Sequence, residues 1–186
     1  MTSIESDAVS DASLDKIREV VFDAETISGR VQSLGREITD YYGSGELLVL
    51  GLLKGSFIFL ADLVRNIGRP HQVDFLVASS YGSKTTSSGE VRLVYDPKTQ
   101  LKGKHILLVE DIVDSGKTIN RLVDVLRERD PLSLEVCALL DKGIANHLVI
   151  EPRFLGFEAP TKFLVGYGLD HAENHRHLPY IGALQE

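Results

Sequence analysis

Residues 105–118 read His105-Ile-Leu-Leu-Val-Glu-Asp-Ile-Val-Asp-Ser-Gly-Lys-Thr118. An apolar run from His105 to Val109 ends abruptly in two adjacent carboxylates, Glu110 and Asp111. A third carboxylate, Asp114, follows one helical turn later, and the small polar Ser-Gly-Lys-Thr segment opens an amphipathic stretch. Ile119, Leu122, Val123 and Leu126 mark one face of that stretch before Asp130-Pro131 breaks it. The order is strand, acidic edge, turn and helix start. It outlines a site for phosphate and a cation, because a helix N-terminus offers free N–H groups and carboxylates are hard ligands for Mg²⁺.

The same alternation extends in both directions. Ile27, Val31, Leu34, Ile38 and Tyr41 predict a helix over 24–42, with Asp23 as N-cap and Gly43 as its stop. Residues 46–53, Glu-Leu-Leu-Val-Leu-Gly-Leu-Leu, read as a strand buried on both faces. Lys54-Gly55-Ser56 turns that strand into a helix with Leu60, Leu63, Val64 and Ile67 on one face. A strand over 73–80, a polar loop over 81–90 and a short strand over 91–95 follow, and the strand beginning at His105 is expected to end at Glu110. Further strands are expected over 135–140 and 163–168. Strands alternating with helices predict an α/β fold with a mostly parallel sheet. Ligands bind such sheets beyond the carboxyl ends of the strands. Those ends carry Lys54-Gly55, Ser79-Ser80-Tyr81, Glu110-Asp111, Asp141-Lys142 and Asp170.

Composition narrows the classes. The 186 residues suit one domain over 16–186, preceded by a solvated, mobile acidic tail over 1–15 that carries Glu5, Asp7, Asp11 and Asp15. A net charge of −7 argues against a general nucleic-acid binder, whose partner's phosphates would be repelled. The single Cys137 excludes an internal disulfide framework, fits a reducing compartment and sits in an apolar run as a buried thiol. No secretory signal precedes the first helix, and the longest apolar stretch, Leu47–Leu53, is far too short to span a bilayer. A cytoplasmic protein without membrane partners is expected.

Gly116-Lys117-Thr118 invites a P-loop reading, which requires a glycine where Asp111 stands. A carboxylate there would face the very phosphates the loop should cradle, so that reading fails. The segment instead resembles the phosphoribosyl-pyrophosphate signature of the phosphoribosyltransferases, and more narrowly the hypoxanthine-guanine branch. Other segments resemble that family in the right order: Val49-Leu-Gly-Leu-Leu-Lys-Gly-Ser-Phe57, Val73-Asp-Phe, Ala78-Ser-Ser-Tyr-Gly82, Leu139-Leu-Asp-Lys142, Phe163-Leu-Val-Gly-Tyr-Gly-Leu-Asp170 and Arg176-His-Leu-Pro-Tyr-Ile-Gly182. The likeness covers about residues 20–182.

The resemblance implies the type I phosphoribosyltransferase fold, a parallel-sheet core with a small hood and a mobile lid. It implies Mg²⁺-dependent transfer of the phosphoribosyl group from phosphoribosyl pyrophosphate to a 6-oxopurine in purine salvage, by a homodimer or homotetramer. Glu110 and Asp111 would hold the ribose hydroxyls, directly and through Mg²⁺. Asp114, Ser115, Gly116, Lys117 and Thr118 would wrap the 5′-phosphate. Asp114 would also lie near N7 of the purine as general acid/base; a helix N-cap is a good local explanation for it too, and the two roles are compatible. Lys142 would donate to O6 of the base, Phe163 would stack on its face, and Leu164 with Asp170 would border its edge. Asp170 would also ligate a second Mg²⁺, and Arg176 with the Lys54-Gly55 loop would bind pyrophosphate. In that loop a cis peptide is typical of the family. Ser80 and Tyr81 would start the lid. Each has a plainer counterpart: a solvated lysine, a core phenylalanine, an ordinary turn, a polar loop.

Two stretches depart from the family pattern. Gly143-Ile-Ala-Asn-His147 lacks an arginine common there, and His171 and His175 stand where tyrosines are usual. With His177 they form a histidine cluster, His171 and His175 at helical i,i+4 spacing, but Arg176 sits inside it and no cysteine is near, which disfavours zinc. A non-catalytic sensor of phosphoribosyl pyrophosphate is the other class weighed. The short acidic N-terminal segment and the intact loops carrying Lys54, Asp114 and Arg176 oppose it.

Overall fold

Two hydrophobic clusters lie on opposite faces of one six-stranded sheet and dictate how the elements pack. The computed structural model describes residues 17–80 and 91–185. Its elements run β1 (Ile17–Phe22), α1 (Ala24–Tyr41), β2 (Leu47–Leu53), α2 (Phe57–Asn66), β3 (Gln72–Ser80), β4 (Val91–Tyr95), β5 (His105–Val113), α3 (Lys117–Arg127), β6 (Ser133–Asp141), β7 (Phe154–Glu158), β8 (Leu164–Val165) and β9 (Ile181–Leu184). The main sheet has the order β4-β3-β2-β5-β6-β7, parallel except for the antiparallel edge strand β4. The α/β architecture expected from the sequence is therefore present. A second, three-stranded antiparallel sheet, β1-β9-β8, forms the hood.

The apolar run of β2 resolves into alternation. Leu47 and Val49 enter the cluster beneath α1 and α2, and Leu48, Leu50 and Leu52 enter the cluster beneath α3. With both faces covered, nothing polar is needed between Leu47 and Leu53. Gly51 is required by close approach, since a Cβ there would stand 2.4 Å from Leu60 Cδ2 of α2. Asp23 caps α1 as expected, accepting from the Thr26 N–H at 2.7 Å. The helix stops at Tyr41, where the Arg69 guanidinium reaches back to the carbonyls of Tyr42 and Gly45.

Chain direction along the sheet reverses between β2 and β5: β3 continues on one side of β2, β6 and β7 on the far side of β5. A crevice opens at such a switch point, outside the strand carboxyl ends.

Three expectations need correction. Strand β5 does not end at Glu110 but continues to Val113, because β6 runs alongside it and pairs Val113 with Asp141. The expected strand 163–168 shrinks to Leu164–Val165 and belongs to the hood, since Gly166 and Gly168 adopt φ of 98° and 104° and end it. Strands β1, β7 and β9 were not expected at all. The acidic tail 1–15 and the polar loop 81–90 lie outside the described residues.

Candidate active site

The crevice at the switch point is a cleft of about 470 Å³. Lys54 and Gly55 from the end of β2, Asp111 and Asp114 from β5 and its turn, and Lys142 after β6 line its floor and one wall. Phe163, Leu164, Asp170 and Arg176, from the hood and its loop, line the other. A smaller cavity of about 70 Å³ adjoins it at the start of α3, bordered by Glu110, Asp114, Ser115, Gly116 and Thr118.

Glycines make the approach possible. Gly55 carries no side chain because Asp111 fills that space: a Cβ would stand 1.7 Å from Asp111 Oδ2. The Gly55 carbonyl in turn occupies the space of a Cβ on Gly168, at 2.2 Å, so the hood loop rests directly on the Lys54-Gly55 turn. The peptide between Leu53 and Lys54 is cis, in the turn where the family resemblance implied one. Ser56 is the N-cap of α2 without a side-chain cap; its hydroxyl donates back to the Leu52 carbonyl at 2.6 Å.

Glu110 is buried, and its Oε2 has no hydrogen-bond partner. Burial, with Asp111 beside it, pushes its carboxyl well above the usual range. Asp111 is raised to about 6, first by burial. Its own N–H, that of Ile112 and the Arg176 guanidinium pull it down, and Asp170 pushes it up. Two acids held this way favour partners that bring positive charge or hydroxyl donors.

The cap reading of Asp114 is corrected. The N-cap of α3 is Gly116, in the left-handed region at φ 75°, where a Cβ would also meet Leu148 Cδ2 at 2.5 Å. Freed from the helix, Asp114 is exposed at the cleft mouth, and one oxygen lies 3.6 Å from Lys142 Nζ. Lys142 is largely buried, with its N–H donating to the Val113 carbonyl at 3.1 Å. Lys117, also expected at the phosphate turn, is the exposed first residue of α3 and borders neither cavity.

On the hood side, Phe163 is exposed to the cleft and meets the His171 ring edge-on at 5.3 Å, while Leu164 is buried. Arg176 pairs with Asp170 at 2.8 Å and donates to the Gly168 carbonyl at 2.7 Å. The histidines do not gather. His171 and Asn174 close a turn rather than a helix, His175 is buried and His171 exposed. Among the described residues no cluster of three or more His, Cys, Asp and Glu could hold a metal by itself. Ser80 ends β3, its Cα opposite Val91, and Tyr81 lies outside the described residues.

Two features escaped the sequence reading. Glu173 lines the cleft and bridges Lys54 and Arg176. Tyr167, at φ 51°, donates its phenol to Asp62 Oδ2 of α2 at 2.6 Å. Tyr167 lies inside a segment quoted for other residues and Glu173 between two such segments, and a lone charge or tyrosine carries no periodic signal.

Residues 19–172 match the family described as the phosphoribosyl transferase domain. The chain is also 46% identical over 173 residues to a hypoxanthine-guanine phosphoribosyltransferase of Dictyostelium discoideum, covering 91% of this chain and 96% of that one. The chain belongs to the hypoxanthine-guanine phosphoribosyltransferase family. A hypoxanthine phosphoribosyltransferase of Salmonella typhimurium is 44% identical over 166 residues, 88% of this chain and 93% of that protein. The crystal structure of a hypoxanthine phosphoribosyltransferase from Staphylococcus aureus superposes with a TM-score of 0.88 at 36% identity, over 95% of this chain and 96% of that one. Likeness over that much of both chains takes in the hood as well as the phosphoribosyltransferase core. Among the described residues no helix is long and apolar enough to cross a membrane.

Proposed function

We propose that the protein transfers the 5-phosphoribosyl group from phosphoribosyl pyrophosphate to N9 of hypoxanthine or guanine, with Mg²⁺, giving the nucleotide and pyrophosphate. In the reaction the C1′–oxygen bond to pyrophosphate breaks, the N9–C1′ bond forms, and the purine gives up a proton. The observation that carries this reading is the placement of Asp114 and Lys142 side by side in a cleft that Lys54 and Arg176 also line. The first pair suits a purine edge with an acceptor at O6 and a nitrogen at N7. The two cations suit a polyanionic leaving group.

Lys142 donates to O6; adenine presents a donor there instead, so the pair mismatches. Phe163 offers its exposed face for stacking, with Leu164 and Asp170 beside the base edge. Asp114 accepts from, or donates to, N7 as the bond at N9 forms. The N–H groups at the start of α3, with the hydroxyls of Ser115 and Thr118, take the 5′-phosphate in the smaller cavity. Glu110 and Asp111 take the ribose hydroxyls, and the unpartnered Oε2 of Glu110 fits an incoming donor.

Mg²⁺ suits this donor set in one particular way. The carboxylates of Asp111 and Asp170 are too few to cage it, but Mg²⁺ is ordinarily held by one or two carboxylates together with substrate phosphates. Bound so, it would neutralise charge on the departing pyrophosphate. Ser80 and Tyr81 would begin the lid that the family resemblance implies, to exclude water from an oxocarbenium-like centre. A reducing compartment such as the cytoplasm suits the single buried Cys137.

The test is a steady-state assay with Mg²⁺ and phosphoribosyl pyrophosphate against hypoxanthine, guanine, xanthine, adenine and uracil. Nucleotide should form from 6-oxopurines, and adenine should be rejected by about 10⁴. No nucleotide from any purine overturns the enzyme reading and favours a sensor.

A further inference from the structure

Every cation in the cleft already has a carboxylate. Lys142 faces Asp114, Arg176 pairs with Asp170, and Glu173 spans the remaining gap. Its Oε1 lies 3.0 Å from Lys54 Nζ and its Oε2 3.2 Å from an Arg176 nitrogen. Glu173 is the one ion-pair partner of Lys54 among the described residues. Two oxygens of one anion thus join two cations from opposite sides of the cleft, as two oxygens of a pyrophosphate would.

Of the two acids on Arg176, Asp170 is placed to stay and Glu173 to leave. The Asp170 side chain is 28% exposed and that of Glu173 65%. Arg176 keeps the Gly168 carbonyl and Asp170 when Glu173 departs, so its guanidinium does not lose its orientation. The Glu173 backbone is fixed independently of its carboxylate, by an N–H donated to Asp170 Oδ2 at 2.8 Å.

We propose that Glu173 is a resident counter-anion of the pyrophosphate subsite: it bridges Lys54 and Arg176 between turnovers, yields them to pyrophosphate, and returns as pyrophosphate leaves. The proposal rests on the phosphoribosyltransferase reading above. Resident bridging keeps two flexible cations poised at low cost, and re-entry of the carboxylate shortens product residence. Exposed pairs are weak, which is what exchange requires. An interaction of that size moves an equilibrium up to about fivefold.

The experiment is calorimetric titration of the intact protein with magnesium pyrophosphate, together with stopped-flow release, for wild type, Glu173→Gln and Glu173→Asp. Glu173→Gln should bind two- to fivefold more tightly and release more slowly. Glu173→Asp keeps the charge but is one methylene too short to span both cations, so it should also bind more tightly than wild type. Equal or weaker binding by Glu173→Gln overturns the proposal. So does tighter binding by Glu173→Gln with Glu173→Asp unchanged, because only net charge would then matter. A wild-type protein that does not bind magnesium pyrophosphate at all contradicts the phosphoribosyltransferase reading itself, and the proposal falls with it.

Discussion

Asp111 Oδ2 occupies the space in which a side chain on Gly55 would begin, 1.7 Å from the Cβ position. The end of β5 and the turn after β2 are therefore packed to the limit at the point where the sheet's direction reverses. Gly55→Ala must displace either the Asp111 carboxylate or the Lys54-Gly55 turn. An ångström of misplacement in a positioned site costs about 10² in rate. We expect kcat/KM to fall by that factor or more in steady-state assays; activity within twofold of wild type would show that the contact is slack.

Asp111 also makes stability depend on pH. Burial first of all raises its carboxyl to about 6 in the folded protein, from 3.8 in the unfolded chain. An acid whose folded pKa is the higher one costs the folded state stability once ionised, fully above pH 6, and the cost fades as pH falls toward 4. Asp111→Asn should therefore stabilise the free protein at pH 8 by about 1–3 kcal/mol and have little effect at pH 4. Denaturant melts at the two pH values check this. A gain independent of pH would assign the effect to packing.

The phenol of Tyr167 ties the loop ahead of Asp170 and Arg176 to Asp62 on α2, the helix that begins just after the Lys54-Gly55 turn. Tyr167→Phe removes a hydrogen bond to a carboxylate, a loss of about 1.5–3 kcal/mol. The hood loop should shift relative to the floor, raising KM for phosphoribosyl pyrophosphate more than KM for hypoxanthine. Asp62→Asn retains an acceptor and should behave much closer to wild type. Equal changes in both KM values would show a general loosening of the fold.

Much of this was legible in the sequence where burial is two-sided or a turn is chemically marked. The runs ending in Lys54-Gly55 and Glu110-Asp111 read clearly as strands because both sheet faces are covered. Strand β1 was not, since its burial is uneven and two bulges break its pairing with β9. Strand β9 is only four residues long, and β8 is cut short by the left-handed glycines around Tyr167. Asp114 looked like a helix cap because the capping preference is local. Gly116 takes the cap through a backbone angle that no side-chain pattern reveals. The bridge from Glu173 to Lys54 joins residues 119 positions apart, and only the packing of the hood loop on Gly55 brings them together.

The most direct test concerns Asp114, beside Lys142 at the mouth of α3. Asp114→Asn keeps the size and one acceptor but removes the acid. Turnover of hypoxanthine by this variant is to be measured alongside calorimetric binding of phosphoribosyl pyrophosphate with Mg²⁺. We predict that kcat falls by about 10²–10⁴ while sugar-phosphate affinity changes little. Unchanged turnover would contradict the assignment of proton work to Asp114.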